Sequence, residues 1–562
     1  MDLVKRFIPY ILIIIISFLA FKPLLTSGFF PIHDDTQVAR VFEMTKALTD
    51  GMFPVRWSSD LGFGFGYPIF NFYAPFAYYV GGFINLFIQD ALVSTKLMMI
   101  LAISLSGVSM FIFARQFFGK IGGLVSCLLY LFAPYNALNI YVRGDVAEFY
   151  AYAIAPLVFW GLYKVSKEKD FKYIFVTSIS FALVIISHNL TAFMLTPFLI
   201  MFALFTVFRE RESIKRILVS FVLGLLLSSF YFIPALLEMN YTNVISQVGG
   251  GADFRDHFVC FSQLWSSLWG YGGSAKGCVD GLSFMVGKTH IVLFLISLIA
   301  VAVLFFIKKT IFEKDMENIF YILVFFLFSA FSIFLMLDLS KFIWELLKPM
   351  AFFQYPWRFL IITTFSLSFI SGSFIWLLNK FIKGSYLITV GLVLLVIILF
   401  LNLKFFTPQY INTKTAKDYT NTETIKWNIS NITSEYMPKG FSKPKQFSEI
   451  ANIDSIKNED LEVISQEQKT QLIKLNVNSK RQQSIIYPLA YFPAWKGYVN
   501  QESVNVIENK KGIEIRVPKG ESQILLKYES TTVENLANLL SLAGIITLIA
   551  GIIYSRKAYG KV

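Results

Sequence analysis

The stretch YPIFNFYAPFAYYVGGFINLF, Tyr67–Phe87, decides how this chain is threaded through a bilayer. It is apolar enough to span. Counted as a span, it would put the basic loops that follow, RQFFGK (Arg115–Lys120) and KVSKEKDFK (Lys164–Lys172), out of register with the rule that Lys and Arg collect on the cytoplasmic side. Its two prolines, Pro68 and Pro75, its paired glycines and its aromatic excess suit an interfacial or re-entrant element instead. The stretch is therefore assigned to one long outer loop covering about 26–91.

The rest of the chain makes the membrane reading unavoidable. Of 562 residues 55% are hydrophobic and 15% charged, a composition foreign to soluble domains. Runs such as FIPYILIIIISFLAFKPLL (Phe7–Leu25) and SYLITVGLVLLVIILFLNL (Ser385–Leu403) suffice for a hydrocarbon core, which takes roughly 20 apolar residues. The first run, behind Lys5 and Arg6, could pass for a signal peptide; its length and lack of a small-residue cleavage site favour a retained helix. Expected spans are 7–25, 92–114, 121–139, 146–163, 172–188, 190–208, 217–237, 290–307, 319–337, 359–378, 385–403 and 537–554, about twelve. The clusters VKR, RQFFGK, KVSKEKDFK, RERESIKR, KKTIFEKD, NKFIKG and SRKAYGK then fall on alternate connections, which places both termini in the cytoplasm. The formal charge of +13 is thus a topology signal, and no nucleic-acid partner is expected.

Three domains follow: residues 1–403 as the transmembrane unit, 404–536 as an outer soluble domain, and 537–562 as a closing helix and tail. Alternating runs such as QLIKLNVNS and GIEIRVPKG in the second predict β-strands, arranged as a small sandwich. Cys260 and Cys278 share one polar loop and could pair if that loop faces an oxidising compartment. LGFGFGYP lacks both the spacing and the lysine of a phosphate loop.

Ionisable residues near the membrane are costly unless paired or functional. Under this topology His33, Asp34, Asp35 and Arg40 follow the first span on the outer side. Arg143, Asp145 and Glu148 of YVRGDVAEFY, His188 of SHNLTAF and Arg358 of FQYPWRF join them from other helix ends. One acid of the Asp34-Asp35 pair can take a proton from an attacking hydroxyl while the other holds Mg²⁺ or Mn²⁺. Guanidinium groups grip a phosphate leaving group bidentately. Each residue also has a plainer role available. The HDD run could be a helix cap, Arg143 and Glu148 an ion pair, His188 a structural histidine and Arg358 a headgroup anchor.

The long outer loop with acids past the first span resembles the GT-C-type membrane glycosyltransferases. Within them, His33–Gly82, YVRGDVAEFYAYAIAPLVF (Tyr141–Phe159) and FFQYPWRFL (Phe352–Leu360) are similar to the bacterial pyruvoyl-tetrahydropterin synthase-related membrane proteins. YFPAWKGYV and the residues after it, to Ser530, resemble the outer β-domain of YfhO-type membrane proteins. Pterin synthases are soluble zinc enzymes, and four histidines offer no zinc set here.

The resemblance implies an inverting transferase in the plasma membrane, taking a sugar from a polyprenyl-phosphate donor to an extracytoplasmic glycan, lipid or protein. It gives Asp34 or Asp35 the role of base or metal ligand. His33, Arg40, Arg143, Glu148, His188 and Arg358 are nominated around them for substrate and phosphate. A flippase for lipid-linked glycans and a non-catalytic envelope scaffold are the alternatives. The aromatics of YFPAWKGYV are expected to be buried in the β-domain rather than stacked on sugar.

Overall fold

The structure, a computed structural model, describes residues 2–247, 252–307, 313–382 and 384–559. Parts of three expected basic clusters, at 308–312, 383 and 560–561, lie outside the described residues. Thirteen longer helices carry the chain: α1 (Asp2–Phe21), α2 (Gln37–Thr49), α3 (Phe76–Ile88), α4 (Ala91–Leu131), α5 (Val146–Lys167), α6 (Phe171–Ser187), α7 (Asn189–Arg209), α8 (Ile214–Leu237), α9 (Lys288–Ile307), α10 (Glu313–Met336), α11 (Leu360–Leu378), α12 (Gly384–Asn402) and α13 (Thr532–Tyr559).

Among the described residues, nine helical segments are long and apolar enough to cross a membrane; α3, α6 and α9 are shorter apolar helices. The expected spans 92–114 and 121–139 take a different form. They belong to α4, which is broken at Gly119 (φ 71°). The chain doubles back there, because a side chain on Gly123 would strike Arg115 and one on Gly107 would meet Cys127 and Leu131. The second limb stops at Leu131 and hands over to the short helix Pro134–Leu138. The stretch Tyr67–Phe87 does not form one span. Pro75 separates the turn Ile69–Phe72 from α3, whose 13 residues reach only about 20 Å at 1.5 Å per residue. Its paired glycines let α2 pack close, for side chains at Gly81 and Gly82 would collide with Val41 and Met44.

The basic loops meet at one end of the bundle. Lys167 bridges Glu210 and Glu317 at 2.9 and 3.0 Å, Lys380 reaches Asp315 at 2.5 Å, and Arg216 donates to the Val165 carbonyl at 3.0 Å. The long loops meet one another, as where His33 reaches Tyr271 and Phe29 bridges Asn412.

Residues 404–460 form short helical turns, and strands begin only at Leu461. The eight strands are β1 (Leu461–Lys469), β2 (Leu472–Ser479), β3 (Gln483–Tyr487), β4 (Trp495–Val499), β5 (Glu502–Val504), β6 (Ile507–Asn509), β7 (Gly512–Val517) and β8 (Gly520–Tyr528). They make two antiparallel sheets, ordered β1-β2-β8-β4-β5 and β3-β7-β6. Period-2 alternation puts Ile473, Leu475 and Val477 of β2 and Ile524 and Leu526 of β8 in the core. Phe492 and Trp495 are buried as well, as expected for YFPAWKGYV.

LGFGFGYP is a docking loop. Gly62, Gly64 and Gly66 all have positive φ, which coils the loop tightly and turns its carbonyls outward. Phe63 and Phe65 carbonyls accept from the Ala451 and Ala490 amides at 2.9 and 2.8 Å. Nearby, Arg56 donates to Asn71 at 2.5 Å, to Asn538 of α13 at 2.7 Å and to the Phe230 carbonyl of α8 at 3.1 Å. Asn71 in turn donates to Glu534 of α13 at 2.6 Å.

Candidate functional site: a charged recess at the loop end

The acidic loop after α1 is laid against the segment that enters α5. The His33 and Asp34 amides donate to the Val142 and Arg143 carbonyls, both at 2.9 Å. The Gln37 amide group donates to the Gly144 carbonyl at 2.8 Å. Gly144 is required here, since its φ is +66° and Ile32 fills the space a Cβ would take. Asp145 then caps α5 by accepting from the Glu148 amide at 3.0 Å.

Arg143 and Glu148 form a bidentate pair at 2.8 and 3.0 Å, and Arg143 also donates to Asp145 at 2.8 Å and to Asn139. The guanidinium rests on Trp357, 4.8 Å from its centroid. Glu148 takes further hydrogen bonds from Tyr135 and from Asn139 (3.2 Å). Both residues are buried, so their pairing offsets a large desolvation cost. Arg143 and Glu148, nominated for substrate and phosphate, are thus paired with each other, the plainer of the two roles the sequence left open.

Arg358 comes in from the segment before α11. Its Nε lies 3.5 Å from Glu148 but makes no hydrogen bond, and its Nη1 donates to the Phe353 carbonyl at 2.9 Å. Arg40 of α2 is 4% exposed. It donates to Tyr78 at 3.0 Å and stands 4.2 Å over the Tyr73 ring. Its Nε has no partner, and among the described residues Arg40 has no ion pair with any carboxylate. Each of these two guanidiniums has a buried Nε without a hydrogen-bond partner, whereas both terminal nitrogens of Arg143 are engaged.

Asp34 and Asp35 part company. Asp34, half-buried, lies in the field of Asp145, Arg40, Arg143 and Arg358. Burial pushes its carboxyl up and the Asp145 charge adds to this, against the three arginines. Asp35, also half-buried, is raised by burial and faces Lys414. His33 is exposed, with Nε2 3.0 Å from the Tyr271 carbonyl, in the loop that the Cys260–Cys278 disulfide closes. His188 is buried at the turn between α6 and α7. Its Nδ1 accepts from the Thr191 amide at 3.2 Å as a helix cap. Burial holds its pKa below the ordinary value, against the pull of Asp145 and Glu148.

Direct contacts thus join Arg143, Asp145, Glu148 and Arg358, Asp34 and His188 lie in the field of this cluster and Arg40 in that of Asp34, and Asp35 and His33 stand apart. Sequence reasoning missed the tyrosines that seat Arg40, which lie in the aromatic run before and within α3. It also missed Glu435, in the turn Ser434–Tyr436, which lies in the field of Arg40 and Asp34 from nearly 400 positions away. Nothing in its local sequence marks it. Among the described residues no group of three or more His, Cys, Asp or Glu could hold a metal ion, and Asp34 and Asp35 face different surroundings.

Comparison with known proteins places the chain. An uncharacterized protein of Lactococcus lactis subsp. cremoris is 26% identical over 274 residues, covering 46% of this chain and 45% of that relative. The matched stretch is thus about half of that protein. Among solved structures, the mycobacterial arabinofuranosyltransferase AftD is similar at a TM-score of 0.44 and 12% identity, over 71% of this chain and 27% of that one. The Archaeoglobus fulgidus oligosaccharyltransferase gives 0.41 and 11%, over 71% and 55%. ArnT of Cupriavidus metallidurans bound to undecaprenyl phosphate gives 0.29 and 12%, over 67% and 78%. The family described as 6-pyruvoyl-tetrahydropterin synthase related, a membrane protein family, matches residues 70–406, more than half of the sequence, and the chain belongs to it.

Proposed function

We propose that this chain is an inverting membrane glycosyltransferase, working at the outer face of the plasma membrane on a polyprenyl-phosphate-linked sugar. The observation that carries this reading is the arrangement of Asp34. A half-buried carboxylate on the loop after α1 faces two guanidiniums, Arg40 and Arg358, that hold donors in reserve. A base beside unspent phosphate-binding donors is what sugar transfer from a lipid phosphate requires.

Asp34 takes the proton of an acceptor hydroxyl as that oxygen bonds to the anomeric carbon. The bond from that carbon to the phosphate oxygen breaks, and the electron pair leaves with the phosphate, opposite Arg358. Arg143 and Glu148 set the position of Arg358 through the 3.5 Å contact. No step is routed through a metal. The Cys260–Cys278 disulfide supports an oxidising compartment for this end, and the basic loops at the far end support a cytoplasmic side there. On this reading 404–536 is an outer domain. A flippase would place its polar site near the middle of the bundle, whereas these charges sit at helix ends.

The test uses the full chain in proteoliposomes, with polyprenyl-phosphate sugars extracted from source membranes and tritiated in the sugar. Asp34→Asn should lose transfer by about 10²-fold or more with folded protein unchanged; full activity in this variant ends the proposal.

A further inference from the structure

One face of α2 lines a cleft that the transfer mechanism leaves unused. Phe42, Thr45, Lys46 and Thr49 recur along it at the three- and four-residue spacing of a single helix face. At 3.6 residues per turn that face lies roughly 160° round α2 from Arg40, whose guanidinium is held on the other side by Tyr73 and Tyr78. The cleft is therefore separate from the recess. Leu86 of α3 and Gln89 just past its end form a second wall, and Lys417 and Thr420 of the short helix Ala416–Thr420 form a third. Together they enclose about 480 Å³, a volume typical of small-molecule sites.

The chemistry of the walls selects the ligand. Thr45, Thr49 and Thr420 donate their hydroxyl protons to the Val41, Thr45 and Ala416 carbonyls of their own helices, at 2.7, 2.9 and 2.9 Å. Their oxygens remain as acceptors. The Lys46 charge is met by Asp60, and Asp50, also on the wall, accepts from the Thr470 amide and hydroxyl, both at 2.7 Å. A phosphodiester offers only acceptors and would meet these threonine oxygens with nothing to give. A sugar gives hydroxyl protons to the threonines and takes donors from Lys417 and the Gln89 amide. Half-buried Phe42 supplies an apolar patch for the C–H face of the ring.

The second wall runs out onto bare apolar surface. Phe83, Leu86 and Phe87 share one face of α3 and are all exposed, with the two rings 5.3 Å apart, edge to face. A short apolar helix that shows aromatics in this way suits the plane of the membrane interface. Leu86 belongs to both surfaces, so a ligand that fills both has a sugar head and an apolar tail. We propose that this cleft binds the sugar headgroup of a membrane glycolipid, whose chains lie along Phe83 and Phe87. The inference goes beyond the transferase reading and uses none of the residues of that mechanism.

The full chain, purified in detergent, is titrated with diacylglycerol carrying one or two hexoses, with diacylglycerol alone and with phosphatidylglycerol, and bound lipid is counted by native mass spectrometry. A hexosyl lipid should bind about tenfold or more tighter than the other two. Thr49→Val combined with Thr420→Val removes two acceptors and should weaken it about tenfold; Leu86→Trp, which fills the cleft from another wall, should do the same. The exposed control Thr413→Val should bind as wild type. Melting in detergent shows which variants fold, and should the threonine pair not fold, Leu86→Trp decides. The proposal is overturned if no hexosyl lipid binds better than diacylglycerol, if phosphatidylglycerol is preferred, or if the folded cleft variants bind as wild type. Loss of glycolipid binding in Asp34→Asn would put the headgroup in the recess and overturn it too. Displacement by a free disaccharide as effective as by the glycolipid would overturn the placement of the chains. None of these readouts measures sugar transfer, so either reading can fail and leave the other intact.

Discussion

Arg143 closes on Glu148 with both terminal nitrogens, at 2.8 and 3.0 Å. The pair is a strut, and the proposed mechanism gives the binding to the residues around it. Removing one partner of a buried pair strands the other's charge, at a cost of about 3–5 kcal/mol. Glu148→Gln and Arg143→Ala should therefore lower the melting temperature sharply and cut the yield of folded protein. Arg358→Ala should fold normally and lose sugar transfer. Thermal melts in detergent beside transfer assays separate the two classes; equal effects on melting would make Arg358 a second strut.

Asp34 and Asp35 are neighbours in sequence with different surroundings, and they should behave differently. Asp35→Asn is expected to stay within a few-fold of wild type where Asp34→Asn loses about 10²-fold or more. Because burial and Asp145 push the Asp34 carboxyl up, and the base works only when deprotonated, kcat/KM should fall as pH drops, with its midpoint above the ordinary aspartate range. A flat acid limb down to pH 4 would remove Asp34 from the role of base.

Glu43 on α2 supplies a pH test of stability that leaves the recess alone. It is buried, accepts from Ser58 at 2.6 Å and from the Asp60 amide at 3.2 Å, and has one oxygen without a partner. Burial, and then the charge of Asp60, raise its pKa to about 7. A carboxyl raised on folding contributes stability that is complete below about 4.5 and is lost as pH rises through about 7. Glu43→Gln should thus melt higher than wild type at pH 8, by an amount on the order of 1 kcal/mol or more, and close to it at pH 5. The same difference at both pH values would mean the carboxyl is not protonated in the fold.

The Cys260–Cys278 bridge closes the loop from which Tyr271 holds His33. Replacing both cysteines by serine should cost about 3 kcal/mol for a loop of this length, and should loosen the margin of the recess. Hydrogen exchange at residues 30–36 is the readout, with faster exchange expected in the double variant.

Much of this architecture is written in the charge pattern. Lys167, Lys380 and Arg216, from three of the basic loops, engage acids or carbonyls of neighbouring loops, and the proline that divides Tyr67–Phe87 leaves α3 a short helix. The recess was legible as a set of helix ends with ionisable residues. What separates Asp34 from Asp35 was not, since adjacent side chains diverge and only the packing of 142–144 and Lys414 decides which faces inward. Nor could LGFGFGYP declare itself as a dock, because its partners Ala451 and Ala490 lie hundreds of residues away. The strands of 404–536 were readable from alternation, but 404–460 carries no periodicity, and there the chain forms turns.

The way Arg56 ties residues near the start of the fold to Asn538, and Asn71 to Glu534, has a consequence for biosynthesis. A membrane protein is threaded into the bilayer in order, so the loop after α1 is delivered long before α13 emerges from the ribosome. Until then Arg56 lacks Asn538 and Asn71 lacks Glu534. The clamp between this early loop and the last helix is therefore among the last contacts of the fold to form.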